Sequence, residues 1–135
     1  METVRKIEYF VLDAADKPGA AARALNALGR INLLAFTGFP NKRRAQIDFI
    51  PEDVAVFKAM AKKAKLKVRA KKGGFLIQGD DRPGALADLL GKVAAAKINV
   101  TACDAVCAGA GRYGAILWVK PKDVNKASKL LGVTV

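Results

Sequence analysis

Two short segments of the 135-residue chain carry residue types that could hold a small zwitterionic ligand. Residues 79–86 read GDDRPGAL and residues 15–22 read ADKPGAAA, so each segment sets an acidic residue beside a Pro-Gly pair. Proline suits a first helical turn because it lacks an N–H, and glycine lets a ligand approach the backbone closely. The unpaired amides of a helix start attract a carboxylate, and a neighbouring aspartate can hold an ammonium group.

A helix start on an open surface is too weak to bind such a ligand by itself. The helix dipole contributes only about 0.3–2 kcal/mol, whereas micromolar binding requires roughly 8 kcal/mol. A second module that closes the site would exclude water and add donors. The simpler interpretation is that Asp, Pro and Gly only begin a helix, and for a single copy both interpretations stay open.

The two segments belong to an internal repeat of the whole chain. Aligning Asp16 with Asp81, at an offset of 65 residues, matches DKPGA with DRPGA. At an offset of 67, RINL at 30–33 matches KINV at 97–100, and at an offset of 70, PEDV at 51–54 matches PKDV at 121–124. The sequence therefore predicts a duplication of one fold unit, which favours the ligand-binding interpretation of the two helix starts.

Hydrophobic periodicity predicts the same order of elements in both copies. In the first copy we expect a strand at 7–12, a helix at 19–29, a hairpin of strands 33–39 and 45–50, a helix from residue 52 and a strand at 65–71. In the second copy we expect a strand at 75–79, a helix at 84–96, strands 99–108 and 113–119, a helix at 122–132 and a short strand at 133–135. The predicted class is α+β, with two ferredoxin-like βαββαβ units of antiparallel sheet, residues 1–72 and 73–135, joined at Lys72-Gly73-Gly74.

The repeated motif resembles that of the ACT domain, a small regulatory ligand-binding module of amino-acid metabolism. In that family the first strand ends in an acidic residue, an x-Pro-Gly-x-Leu segment opens the helix, and a strand of the Ile-Asn-Val type follows. The resemblance covers nearly the whole chain and both copies, so we expect no attached catalytic domain. It implies that the two units lie side by side in one eight-stranded sheet, and that a free amino acid binds at the interface between modules.

Carried over residue by residue, the resemblance implies two candidate ligand sites. The site in the second copy comprises Asp81, Arg82, Pro83, Gly84, Ala85, Leu86 and Asn99. The site in the first copy comprises Asp16, Lys17, Pro18, Gly19, Ala20 and Asn32. The first copy has Ala21 where the family usually has leucine, so we expect the second copy to be the working site.

The function implied by the resemblance is that of a stand-alone, non-catalytic regulatory protein. It would form a homodimer, sense an amino acid, and transmit the occupancy of its site to a regulated enzyme or another protein partner.

Composition argues against catalysis, metal binding and membrane insertion. The chain has no histidine, and its two cysteines are Cys103 and Cys107, which excludes His-based catalysis and the usual zinc spacings. The adjacent carboxylates Asp80 and Asp81 would point apart on an extended segment, which is poor geometry for acid–base work. There is no run of 18 apolar residues and no secretory signal, so we expect a cytoplasmic protein without a cofactor or metal. We expect both cysteines to be small buried residues.

The net charge of +12 is the main competing signal. Residues 1–73 carry 16 basic and 7 acidic residues, and much of this excess lies in Lys62–Lys72. This segment predicts, as the alternative function, a face that binds nucleic acid or another polyanion. The same alternation is typical of a solvated strand face, and lysines also protect an edge strand from pairing. Arg112–Trp118 faintly resembles the aromatic octapeptide of RNA-recognition motifs but lacks two aromatic residues two apart, so nucleic acid is the less favoured partner.

Overall fold

The computed structural model describes residues 2–133. The elements in chain order are β1 (Thr3–Ala15), α1 (Ala20–Ala27), β2 (Leu33–Asn41), β3 (Arg44–Pro51), α2 (Val54–Lys63), β4 (Arg69–Asp80), α3 (Ala85–Ala95), β5 (Val100–Cys107), β6 (Arg112–Val119) and α4 (Val124–Leu131), the last preceded by a 3-10 turn at Pro121–Asp123. They form two compact units, which we name by their positions along the chain. The inner unit is Glu8–Lys71, and the outer unit consists of the stretch up to Ile7 together with the chain from Lys72 onward. No helix within residues 2–133 is long and apolar enough to cross a membrane.

The inner unit is built on an antiparallel ladder in which β3 lies between β1 and β2. Its core is aromatic, because Phe10, Phe49 and Phe57 are all buried. The ring centroids of Phe10 and Phe57 lie 4.7 Å apart, and those of Phe49 and Phe57 lie 5.5 Å apart. Such tilted pairs add to the free energy gained by apolar burial. The three phenylalanines therefore join β1, β3 and α2 in one core, together with Leu12, Leu28 and Ile47.

The outer unit has the matching ladder, in which β6 lies between β4 and β5. Its core includes Phe75 of β4, Leu117 of β6 and Val93 of α3, all completely buried. Val4, from the start of β1, is 2% exposed and belongs to the same cluster. The N-terminal stretch thus packs with the later part of the chain, whereas the division expected from the sequence, 1–72 and 73–135, assigns it to the first copy.

The α+β class and the four helices are confirmed, but the described residues form six strands instead of eight, so the βαββαβ order is not repeated in full. The predicted strands 65–71 and 75–79 are one strand, β4, and the predicted joint at Lys72-Gly73-Gly74 lies inside it. Of the predicted strand 133–135, Val133 follows α4 without strand structure, and residues 134–135 lie outside the described residues.

The two glycines of the predicted joint have packing roles within β4. Gly73 has a φ of +110°, and a Cβ at this position would lie 2.6 Å from the backbone oxygen of Val119. A Cβ at Gly74 would lie 3.0 Å from the side chain of Ile7. A glycine pair indicates a flexible linker when only local composition is considered, whereas here close neighbours leave no room for a side chain.

Part of the predicted basic strand 65–71 is a helix end instead. Lys65 has a φ of 58°, and its N–H donates to the carbonyl of Lys62 at 3.1 Å. The N–H of Leu66 donates to the carbonyl of Ala61 at 2.9 Å, which completes a Schellman motif after α2. Leu66 and Val68 pack against the core of the inner unit. The alternation of apolar and basic residues therefore arises in the connection between α2 and β4, which begins at Arg69.

Candidate functional site

The two Pro-Gly segments adopt the same backbone conformation at the starts of α1 and α3. Gly19 and Gly84 precede these helices with φ values of 86° and 82°. In each copy the first helical amide donates to the carbonyl two residues before the glycine, at 3.3 Å in the first copy and 3.2 Å in the second. This left-handed conformation is strained for a residue with a Cβ, so the turn itself requires the glycine.

The second copy lines a pocket at the start of α3 and the end of β5, which we call the helix-start pocket. Its volume is about 320 Å³, at the lower end of the roughly 300–1,000 Å³ typical of small-molecule sites. The lining residues are Asp81, Arg82, Gly84, Ala85, Leu86, Ala87, Ala105, Val106, Cys107 and Tyr113. The structure thus brings together five of the seven residues expected for this copy, and Pro83 lies between two of them.

Asp81 is the anionic group of the helix-start pocket. Its backbone N–H donates to the carbonyl of Gly111 at 2.9 Å, which ties the segment after β4 to the turn before β6. Its carboxylate accepts a hydrogen bond from the thiol of Cys107. This hydrogen bond, with some loss of solvation and the nearby negative charge, raises the pKa of Cys107. The thiol is therefore protonated near neutral pH, and Asp81 stays exposed to a ligand.

Arg82 is the cationic group, and Asp88 in the first turn of α3 holds it in place. The Nη2 atom of Arg82 lies 2.6 Å from Oδ2 of Asp88, and its Nη1 donates to the carbonyl of Pro83 at 3.3 Å. The hydrogen bond and the charge of Asp88 raise the pKa of Arg82. Because both side chains are more than half exposed, the pair positions the guanidinium more than it stabilises the fold.

A second pocket of about 260 Å³ shares Arg82, Ala85 and Tyr113 with the first. Its other lining residues are Glu2, Gly79, Asp80, Asp88, Leu89 and Lys92. The hydroxyl of Tyr113 donates to Oε2 of Glu2 at 3.3 Å. Burial, followed by the charge and hydrogen bond of Glu2, raises the pKa of Tyr113. Tyr113 therefore contributes a neutral side chain to both pockets.

Of the two asparagines expected at the ligand sites, Asn99 lies away from the helix-start pocket, and Asn32 of the first copy is bonded to Glu52. Asn99 precedes β5, whereas Cys107 at the other end of that strand lines the pocket. Eight residues at about 3.3 Å each separate the two by roughly 25 Å. In the first copy, Nδ2 of Asn32 donates to Oε2 of Glu52 at 3.0 Å, and the backbone N–H of Glu52 donates to the carbonyl of Asn32, also at 3.0 Å. Asn32 thus joins the start of β2 to the segment that leads into α2.

The first helix start differs from the second in the charge that accompanies it. Arg23 occupies in α1 the repeat position that Asp88 occupies in α3. One guanidinium nitrogen of Arg23 lies 2.9 Å from the point where a Cβ on Gly19 would be. Asp16, Lys17 and Pro18 are exposed, and Ala20 is half-buried. A cation of the same copy therefore covers this turn, while the second copy keeps an acid–base pair beside a pocket.

Five pocket residues are not among those expected from the sequence: Ala87, Ala105, Val106, Cys107 and Tyr113. The ladder pairs Cys107 of β5 with Tyr113 of β6, and Tyr113 with Gly79 of β4. The predicted antiparallel order could have identified the β5 residues. It places the C-terminal ends of the first and second strands of a unit at the same edge of the sheet. The expectation that both cysteines are buried is wrong for Cys107, which is exposed at a strand end, whereas Cys103 is half-buried.

Other charged clusters are less suited to hold a ligand. Among residues 2–133 no group of three or more His, Cys, Asp or Glu side chains is arranged to hold a metal ion. All the Lys and Arg side chains between Lys62 and Lys72 are exposed. Lys62 and Lys63 lie in the last turn of α2, where the helix dipole favours cations, and Arg69 pairs with Asp13 at 3.4 Å.

Solved structures of low sequence identity share this fold. Protein BT0572 from Bacteroides thetaiotaomicron has a TM-score of 0.81 at 18% identity, over 96% of this chain and 88% of that chain. The ligand-free regulatory subunit of aspartate kinase from Thermus thermophilus has a TM-score of 0.66 at 15% identity, over 97% of this chain and 94% of that chain. Aspartate kinase from Synechocystis has a TM-score of 0.64 at 15% identity, over 99% of this chain but 27% of that chain. No protein-family model matches the chain, and no curated protein sequence is significantly similar to it.

Proposed function

We propose that the chain is a non-catalytic regulatory protein that binds a free amino acid in the helix-start pocket and passes its occupancy to a partner protein. The observation that carries the proposal is a pocket of about 320 Å³ in which Asp81 and Arg82 supply one anionic and one cationic group. Two further features support it: the resemblance of GDDRPGAL to the ACT motif, and a fold shared with regulatory subunits of aspartate kinase. By the same analogy, the partner is an enzyme that the chain regulates.

The charges of the helix-start pocket match those of an amino acid. In the proposed complex, Asp81 binds the ammonium group of the ligand. Arg82 and the backbone amides of Leu86 and Ala87, in the first turn of α3, bind its carboxylate. A ligand that lacks an ammonium group would leave the carboxylate of Asp81 without a matching charge, which is unfavourable once water is excluded.

A second copy of the chain is proposed to complete the pocket. β5 is the terminal strand of its ladder, and both of its faces are largely exposed. Next to the pocket, Val106 is 68% exposed and Leu86 is 39% exposed, so this edge presents apolar surface to water. Covering it with the same edge of a second chain would form the expected homodimer. Ligand binding would then shift the equilibrium between two packings of the modules. The free energy of this shift cannot exceed the difference between the ligand's binding free energies for the two packings.

Thermal-shift screening and calorimetry with each of the twenty amino acids test the proposal. A ligand present at 100 times its Kd should stabilise the protein by about 2.7 kcal/mol. Asp81→Ala should reduce the stabilisation to about half or less, whereas Asp16→Ala, the same motif position in the first copy, should retain it. Absence of any binder at millimolar concentration contradicts the proposal. Light scattering after size exclusion, with and without the ligand, measures the proposed homodimer.

The second candidate function is binding of nucleic acid or another polyanion by the Lys62–Lys72 segment. The exposure of the seven basic side chains in this segment favours such binding. Such binding should weaken steeply with salt, since log K falls by about 0.9 per neutralised phosphate for each tenfold rise in salt. Replacing Lys65, Lys67 and Lys71 by glutamine should weaken it further. Fluorescence anisotropy with a labelled duplex at 20 and 200 mM salt tests this, and no salt-dependent binding at 20 mM dismisses it.

A further inference from the structure

The walls of the helix-start pocket are mostly aliphatic. Asp81 and Arg82 are the charged members of its described lining. Much of the remaining wall consists of hydrocarbon side chains, from Leu86, Ala87, Ala105 and Val106. A ligand whose charged end lies against Asp81 and Arg82 must therefore direct the rest of its atoms toward apolar surface.

The polar side chains around the pocket already have partners. The thiol of Cys107 donates to Asp81, and the hydroxyl of Tyr113 donates to Glu2 at 3.3 Å. Asp88, the carboxylate next to the pocket on α3, is paired with Arg82 at 2.6 Å. Once the backbone charges of an amino acid are bound, the described lining offers a polar ligand side chain no carboxylate or amide to pair with.

We propose that the helix-start pocket selects an amino acid with an uncharged aliphatic side chain, of the size of valine, leucine or methionine. The inference rests on the proposed function and specifies its ligand. An aliphatic side chain removes its own surface and that of Leu86 and Ala105 from water, which favours binding in proportion to the area buried. A hydroxyl or ammonium group in the same place loses its hydration without gaining a partner. The volume of about 320 Å³ is sufficient for one ligand of this size.

Two pairs of closely matched ligands test the selectivity by calorimetry. Lysine is norleucine with a terminal ammonium group, and threonine differs from valine only in a hydroxyl that replaces a methyl. Valine should bind at least about tenfold more tightly than threonine, and norleucine at least about 100-fold more tightly than lysine. If lysine or threonine binds as tightly as its apolar counterpart, the selectivity is overturned while the proposed function stands. If no amino acid binds, the proposed function fails, and the inference fails with it.

Leu86→Asp tests the same wall from the side of the protein. The substitution lies in the first turn of α3, where the helix dipole favours a carboxylate, so the fold should be retained. The ratio of norleucine to lysine affinity should fall by at least about 100-fold relative to the parent protein. Val56→Asp is the matched control, because Val56 is 45% exposed near the start of α2 in the inner unit, and the ratio should not change. An unchanged ratio in Leu86→Asp, with an unchanged circular dichroism spectrum, overturns the inference.

Discussion

The ring of Tyr113 lies against the backbone of Gly79, its partner across β4 and β6. A Cβ on Gly79 would lie 2.6 Å from Cε1 of the ring, well inside van der Waals contact. The absence of a side chain at residue 79 therefore lets Tyr113 occupy its place in the lining of both pockets. The first glycine of GDDRPGAL shapes the site without belonging to the Pro-Gly turn.

Gly79→Ala should destabilise the protein by about 1–3 kcal/mol, because the ring of Tyr113 must move away from the new methyl group. Urea denaturation measures the change in the free energy of unfolding. Gly91→Ala is the control: apart from its own helix α3, nothing lies within 4 Å of the place that the new methyl group would take, and alanine there should stabilise the helix by about 0.5–1 kcal/mol. Equal stability of the two variants would contradict the contact between Tyr113 and Gly79.

Gly73→Ala separates the strand interpretation of the Gly73-Gly74 pair from the linker interpretation. In β4 the substitution meets both a positive φ and the backbone oxygen of Val119, so it should cost more than about 2 kcal/mol of stability. A flexible linker would tolerate alanine with little change. Gly38→Ala in β2 has open space around it and serves as the control in the same denaturation experiment. A small effect at Gly73 would restore the linker interpretation.

The positions of the asparagines predict that they differ from Asp81 in their effect on ligand binding. Asp81→Ala should weaken binding of the amino acid found by screening at least tenfold, equal to about 1.4 kcal/mol. Asn99→Ala should leave the affinity unchanged, because residue 99 lies at the opposite end of β5. Asn32→Ala should also leave it unchanged but lower the stability by about 0.5–1.5 kcal/mol, through loss of the bond to Glu52. Calorimetry and urea denaturation of the three variants measure both effects, and loss of affinity in Asn99→Ala would contradict this placement of the site.

The hydrogen bond between Cys107 and Asp81 predicts a pH dependence of thiol alkylation. Because the pKa of Cys107 is raised, less thiolate is present at pH 8 than for an ordinary cysteine, and iodoacetamide should react slowly. Removing the carboxylate in Asp81→Ala should lower this pKa, so the rate should rise at pH 8 and the midpoint of the rate profile should move to lower pH. A Cys103→Ser background isolates the signal of Cys107. A midpoint that does not move would exclude the proposed bond.

Local sequence was sufficient to predict the features that depend on neighbouring residues. Gly19 and Gly84 were identified as helix starts from the Pro-Gly motif alone, and their φ values agree within a few degrees, because a turn is set by steric limits within a few residues. Hydrophobic periodicity likewise predicts the four helices and most of the strands, although it divides β4 into two. The repeat also indicated which two segments to compare for a ligand site.

Long-range pairing decided the rest. Gly73 resembles a linker residue in sequence but lies within β4. Its close neighbour Val119 is distant along the chain, so local sequence does not reveal the contact. Val4 likewise packs in the core of the outer unit with residues that are distant along the chain. Cys107 and Tyr113 enter the helix-start pocket only through the register of β5 and β6, whereas Asn99 is excluded by the length of β5. Local sequence is sufficient for the turns, the helices and the charged residues of the site. The walls around those residues depend on the tertiary structure, because they come from residues that local periodicity does not connect.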